Sequence, residues 1–114
     1  MPFDAEGTAL HDILRQIDLA FQFTRDQNFE AFHGDTMRLY AVTRCLEIIS
    51  EASRRLSTDL KSRHLDIPWS EMAGAGNVYR HDYGDVAARR VWDTVALALP
   101  TLRSVVEAEL TARR

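Results

Sequence analysis

The chain has 114 residues, 46% hydrophobic and 27% charged, with a formal net charge of −3. That balance belongs to a folded globular protein, and the length gives one domain, residues 1–114, with no room for a second. A dinucleotide-binding dehydrogenase, a kinase or a (β/α) barrel needs more chain and is excluded by size.

The opening Met1-Pro2-Phe3-Asp4-Ala5-Glu6 has neither a basic start nor an apolar stretch, so no secretory leader is expected. The longest apolar run, Val95 to Leu99, is far short of a membrane span. Cys45 is the single cysteine, which rules out an internal disulfide and a multi-cysteine zinc site. A reducing cytoplasm is the expected setting. The negative net charge argues mildly against a nucleic-acid ligand, but its distribution is uneven. Residues 1–35 hold seven acids against Arg15 and Arg25, leaving ten acids and twelve bases for the remainder. Thirteen of the fourteen bases are arginine, whose planar fork suits phosphate, although biased base composition of the gene explains the preference equally well.

No segment alternates long enough to form a strand, and helical spacing recurs throughout. A first helix is expected over roughly Thr8 to Asp26, with Leu10, Ile13, Leu14, Ile17, Phe21 and Thr24 on one face. Asn28 caps a short turn carrying Phe29 and Phe32, which Gly34 ends. Asp35 caps a second long helix reaching about Leu56. It carries two apolar stripes, one through Ala41, Cys45, Ile48, Ala52 and Leu56, the other through Leu39, Val42, Leu46 and Ile49. Its polar remainder is a narrow strip of Arg44, Glu47, Glu51, Arg54 and Thr58. Such a strip is either a solvated face with ion pairs or a set of supporting residues at a site between subunits.

A basic connection with a turn at Leu60 to His64 follows, and then a strong helix start at Pro68-Trp69-Ser70-Glu71. Gly74 and Gly76 should weaken or bend what comes next, so Asn77 to Tyr83 is read as two turns closed by Gly84. Asp85 caps a last long helix that Pro100 should kink, with Val91, Trp92, Val95, Ala98, Leu99, Leu102, Val106 and Leu110 facing inward. The sum is an all-α, up-and-down bundle of four to five helices. The wide apolar arc of the second long helix points to a homodimer.

Of the histidines, His11 and His33 read as surface residues and His64, among Lys61, Arg63 and Asp66, as solvated. His81 stands in richer company: Asn77-Val78-Tyr79-Arg80-His81-Asp82-Tyr83. On a helix, Asn77 and His81 share one face, and Arg80 and Tyr83 the adjoining one. A base that titrates near neutrality, a fixed cation, an amide and a phenol suit phosphodiester chemistry. The plain alternative is a helix end whose His and Tyr satisfy backbone carbonyls.

Asn-x-x-x-His-x-Tyr after Pro68-Trp69-x-x-Met72-Ala73-Gly74 resembles the HEPN domains of HepT-like ribonuclease toxins. The resemblance extends from Tyr40 to Ala52, which is similar to that family's long helix, through Asp66 to Trp69, to Asp85–Leu99. In all it covers roughly residues 8–110. It implies an all-helical homodimer with an RNA-cleaving cleft between subunits, and endonuclease chemistry that needs neither metal nor cofactor. It also implies a cognate nucleotidyltransferase-type antitoxin that adenylylates the motif tyrosine. By position, His81 matches the catalytic histidine, Tyr83 the modified tyrosine, and Asn77 the polar residue after the family's arginine. That arginine, five residues before the histidine, is replaced here by Gly76. Either the domain has become a nucleotide- or partner-binding module, or Arg80, one turn from position 76 on the same face, takes over the phosphate.

Two rivals remain open on the residues alone. One is a metal phosphohydrolase built on the His81-Asp82 doublet with His33, His64 or Asp85. The other is a helical adaptor with no enzymatic activity.

Overall fold

The computed structural model describes the backbone of residues 4–81 and 85–113, and the side chains of all of these except 76–81, 85 and 86. Its helices are α1 (Ala5–Thr24), α2 (Phe29–His33), α3 (Thr36–Ser53), α4 (Thr58–Ser62), α5 (Trp69–His81), α6 (Asp85–Asp93) and α7 (Leu99–Ala112). A π-helical turn over Thr94–Ala98 joins the last two, and no strand occurs among the described residues. The expected all-α architecture is present. Among the described residues the expected four to five helices become seven α-helical segments, because two short turns are helices in their own right and the C-terminal helix is divided.

α1 starts earlier than the apolar pattern suggests. The Asp4 carboxylate accepts the Gly7 N–H at 2.8 Å, a side-chain cap that begins the helix before its first buried apolar residue, Ala9. A Cβ on Gly7 would lie 2.4 Å from an Asp4 carboxylate oxygen, so glycine at this position leaves room for the cap. α2 follows its expected cap, with Asn28 Oδ1 accepting from Ala31 N–H at 2.8 Å. Asp35 caps α3 as expected and also binds Arg38, whose Nη1 donates to the Phe23 carbonyl at 2.7 Å. That contact fixes the turn between α1 and α3. α3 ends at Ser53 rather than Leu56, since Arg54, Arg55 and Leu56 close tighter turns onto Glu51, Ala52 and Ser53.

α3 packs against α1 on one side and α5 on the other, and α1 packs against α7. Leu10, Ile13 and Ile17 of α1 meet Val42, Leu46 and Ile49 of α3 and Leu99, Leu102 and Val106 of α7 in one buried cluster. Each such side chain contributes roughly 1.5–3 kcal/mol through removal from water. Most of the wide apolar arc of α3 is therefore covered within the chain. What stays open near its start is Met37, 84% exposed, and Tyr40, 70% exposed. α2 packs on α6 through aromatic contact, with Phe29 and Phe32 ring centroids 6.3 and 5.3 Å from that of Trp92.

Pro100 is accommodated by the π-turn. The Leu99 N–H bonds the Thr94 carbonyl five residues back, and Pro100 then sits in the first turn of α7, where an N–H is dispensable. The wider turn also shifts the helical phase. Ala98, expected inside, is exposed, and Leu97 beside it is 77% exposed, while Val95 and Leu99 remain buried.

Candidate functional site

α5 is held to the rest of the molecule at its start and in its middle. At the start, the Pro68 carbonyl accepts the Met72 N–H at 2.9 Å, and buried Ile67 precedes it. Trp69 Nε1 donates to the carbonyls of Lys61 and His64 at 3.2 and 2.9 Å, locking the α4–α5 connection beneath the helix. The same connection is tied to α7. Arg63 Nη2 and His64 Nε2 lie 2.8 and 2.6 Å from the two carboxylate oxygens of Glu109. The Arg63 guanidinium draws the Glu109 carboxyl down to about 2, against the upward push of burial, and His64 adds to the effect. His64 is thus not the solvated residue its charged neighbours suggest, because its side chain is only 20% exposed.

In the middle of α5 the Ala73 carbonyl receives donors from α3. Ser50 Oγ lies at 3.1 Å, and Arg54 Nε and Nη2 at 3.0 and 2.6 Å. Beside this contact a cleft of about 440 Å³ opens between α3, the first half of α5 and the π-turn. Leu46, Ile49, Met72, Ala75 and Leu102 are among the residues lining it.

Past Ala73 the helix continues. The backbone is α-helical from Trp69 through Gly74 and Gly76 to His81, so the glycines expected to weaken or bend this segment do not end the helix. Positions 77 and 81 therefore share one face, and so do 76 and 80, the latter pair about 6 Å apart along the axis. The side chains of Asn77, Arg80 and His81 lie outside the described residues, and Asp82, Tyr83 and Gly84 lie outside them altogether.

The polar strip of α3 is divided in use. Arg44 and Glu51 are exposed and Glu47 is half-buried, while Arg54, on the same strip, reaches across to α5. Thr58 leaves the strip and opens α4, which Ser57 caps. His11 and His33 are exposed as expected, and His33 lies against the Phe29 ring at 5.7 Å. His64, one of the ligands the phosphohydrolase alternative draws on, is engaged by Glu109. The described residues contain no group of three or more His, Cys, Asp or Glu side chains placed to hold a metal ion. None of their helices is long and apolar enough to cross a membrane.

Ser50 and Glu109 are missed by a search for exposed chemistry, yet the sequence carries a signal for both. Each is polar at a buried helical position, Ser50 between Ile49 and Ala52, and Glu109 three residues after Val106. A polar residue on an inward face must have a partner, and each has one.

A family model described as Ribonuclease HepT-like matches residues 13–109. The chain is 42% identical over 98 residues to a protein named "Probable ribonuclease HepT" from Thermococcus cleftensis, a match covering 86% of this chain and 89% of that one. It is 36% identical over 98 residues to an RNase candidate of Methanocaldococcus jannaschii, covering 86% of this chain and 90% of the other. A second RNase candidate from that organism is 35% identical over 98 residues, covering 86% and 84%. No solved structure matches.

Proposed function

The chain belongs to the HepT-like ribonuclease family, and from that premise we propose that it is an endoribonuclease whose reacting groups stand at the C-terminal end of α5. The observation that carries this reading is the unbroken helix from Trp69 to His81 inside the matched region. It meets the condition for Arg80 to stand in for the arginine absent at Gly76, since both positions fall on one face.

In the proposed reaction His81 takes the proton of a ribose 2′-hydroxyl. The freed oxygen attacks the adjacent phosphorus, the bond to the 5′-oxygen breaks, and that oxygen takes a proton from the His81 imidazolium or from water. Arg80 and Asn77 hold the non-bridging oxygens and stabilise the charge that builds on them. The nucleophile comes from the RNA itself, so the products are a 2′,3′-cyclic phosphate and a 5′-hydroxyl, and the proposed chemistry requires no metal. Arg44, Glu47 and Glu51 would support the cleft from α3.

The cleft would be shared by two copies of the chain. Exposed Met37 and Tyr40 on α3 give the apolar surface for that contact. The toxin role, in the cytoplasm, and a nucleotidyltransferase-type antitoxin complete the proposal. An adenylyl group on Tyr83 would set a phosphate beside Arg80 and His81 and compete with RNA for them.

The test is cleavage of total RNA by the purified protein in EDTA, with end-group analysis. Fragments ending in cyclic phosphate, lost in His81→Ala, are expected. Arg80→Ala should cost a large factor, and wild-type activity in that variant would refute the substitution for Gly76. Sedimentation should give roughly twice the 13.0 kDa chain mass. Co-expression with the cognate antitoxin should add AMP to the intact mass, and Tyr83→Phe should remove that gain. A second reading rests on Gly76 itself: a domain that has lost catalysis and binds nucleotides or a partner. RNA left intact by the wild type under all these conditions would favour it.

A further inference from the structure

The contact between the end of α3 and the Ala73 carbonyl lies just before the Asn-x-x-x-His-x-Tyr pattern, and neither the family match nor the proposed chemistry assigns it a role. Ala73 is four residues before Asn77 and eight before His81, so it stands one and two helical turns upstream of the proposed reacting groups on the same face. Immediately after it come Gly74 and, two residues later, Gly76. Neither packing nor backbone conformation requires glycine at 74. A Cβ there would meet nothing within 4 Å, and Asp26 is the only described non-glycine residue with positive φ, while Gly74 itself lies within regular helix. What glycine does at this point is lower the helical preference of the segment leading into the motif.

The tertiary contact falls where the helix is intrinsically weakest. Arg54 closes the C-terminal end of α3, where the helix dipole favours a cation, and both Nε and Nη2 aim at the single Ala73 oxygen. Two donors of one planar group on one acceptor fix its orientation as well as its distance. Ser50, 2% exposed, adds a third donor from one turn earlier on α3, and Ser53 Oγ donates to the Ser50 carbonyl at 2.7 Å.

We propose that Arg54, assisted by Ser50, is a positioning residue for the motif. By holding the Ala73 carbonyl it sets the angular register and axial height at which α5 delivers positions 77, 80 and 81. Its catalytic consequence rests on the ribonuclease reading, whereas its effect on α5 does not. A displacement of about 1 Å at reacting groups is enough to cost on the order of 100-fold in rate.

Arg54→Met keeps the apolar stem and removes the donors. Its expected signature is a kcat on RNA lowered roughly 10- to 100-fold with KM changed less than about threefold. Backbone amide exchange should accelerate about tenfold or more over residues 75–81 while α1 is unaffected. Arg54→Lys, which keeps one donor and the charge, should fall between wild type and Arg54→Met, and Ser50→Ala should move both readouts the same way by less. Gly74→Ala, for which there is space, should restore part of both losses in the Arg54→Met background by strengthening the helix itself. Unchanged exchange over 75–81 in Arg54→Met would overturn the proposal. So would faster exchange spread equally over α1 and α3, which would make Arg54 a general contributor to stability. If the wild type cleaves no RNA, the ribonuclease reading fails, and the exchange measurements still decide whether Arg54 positions α5.

Discussion

Two charged clusters on α7 join it to other parts of the chain with the same chemistry and in different surroundings. Glu109 is 9% exposed, and its carboxylate meets Arg63 and His64 from the connection that leads into α5. Around Arg103, the guanidinium meets Asp18 of α1 at 2.7 Å and Glu107 one turn along α7, and every partner is between a third and a half exposed. In water an ion pair gains little, because each charge gives up solvation nearly equal to the attraction it gains. At Glu109 the solvation is already lost, so the partners are required: a buried carboxylate without them would be costly. The comparison shows that depth decides what an ion pair contributes. It also shows that the deeper cluster secures the root of the motif helix.

The largest difference should appear on truncation. Arg63→Ala, which leaves the buried Glu109 carboxylate without its guanidinium, should lower the unfolding free energy by about 2–4 kcal/mol, read from the shift of the urea midpoint. A loss below about 1 kcal/mol would place this cluster in the same class as the exposed one.

Acid should separate the clusters next. The folded state lowers the Glu109 carboxyl from 4.5 to about 2, so the unfolded chain takes up the proton at higher pH than the folded one does. The resulting stabilisation is complete above about pH 5 and is lost as pH falls through about 2, on the order of 2 kcal/mol after allowance for the exposed side of Arg63. Glu109→Gln should flatten the stability profile within that window. A profile of unchanged slope would mean that Glu109 titrates as a free carboxylate.

The smallest effect belongs to the exposed cluster. Arg103→Ala should change stability by less than about 1 kcal/mol at low salt, and by nothing measurable in 1 M salt. A larger loss that persists in high salt would show that the arginine stem, rather than its charge, is what packs between α1 and α7.

Legibility in the sequence follows the range of the forces involved. The caps at Asn28 and Asp35 and the inward stripes of α1 and α3 are local and periodic, and they stand where the pattern puts them. The start of α1 lies upstream of the apolar pattern because its cap, Asp4, stands five residues before the first buried apolar residue, Ala9, and apolar spacing gives no sign of a cap. The glycines at 74 and 76 argue locally for a weakened or bent helix, yet α5 runs through them, with donors from the end of α3 bonded to the carbonyl just before the first. A contact between residues nineteen positions apart leaves no trace in a short window of sequence. His64 differs from its local pattern for the same reason: its neighbours in the chain are charged, but its partner, Glu109, is forty-five residues away. The site divides along that line. The motif is a short-range pattern and can be read from the sequence, whereas the groups that hold its helix are assembled by the fold.

The π-turn gives the C-terminal region a property that an uninterrupted helix would lack. It inserts the equivalent of one residue into the winding between Asp93 and Leu99, so α6 is indexed against α7 by a step of about 100°. Trp92 depends on that step to meet Phe29 and Phe32. Deleting a single residue from Thr94–Ala98 would leave nearly all of the composition intact. It would also turn the whole of α6, and with it the point where the chain arrives from the motif, to a different side of the bundle. Chain length here works as an angular coordinate: one residue more or less in this turn selects the direction from which α6 approaches the core.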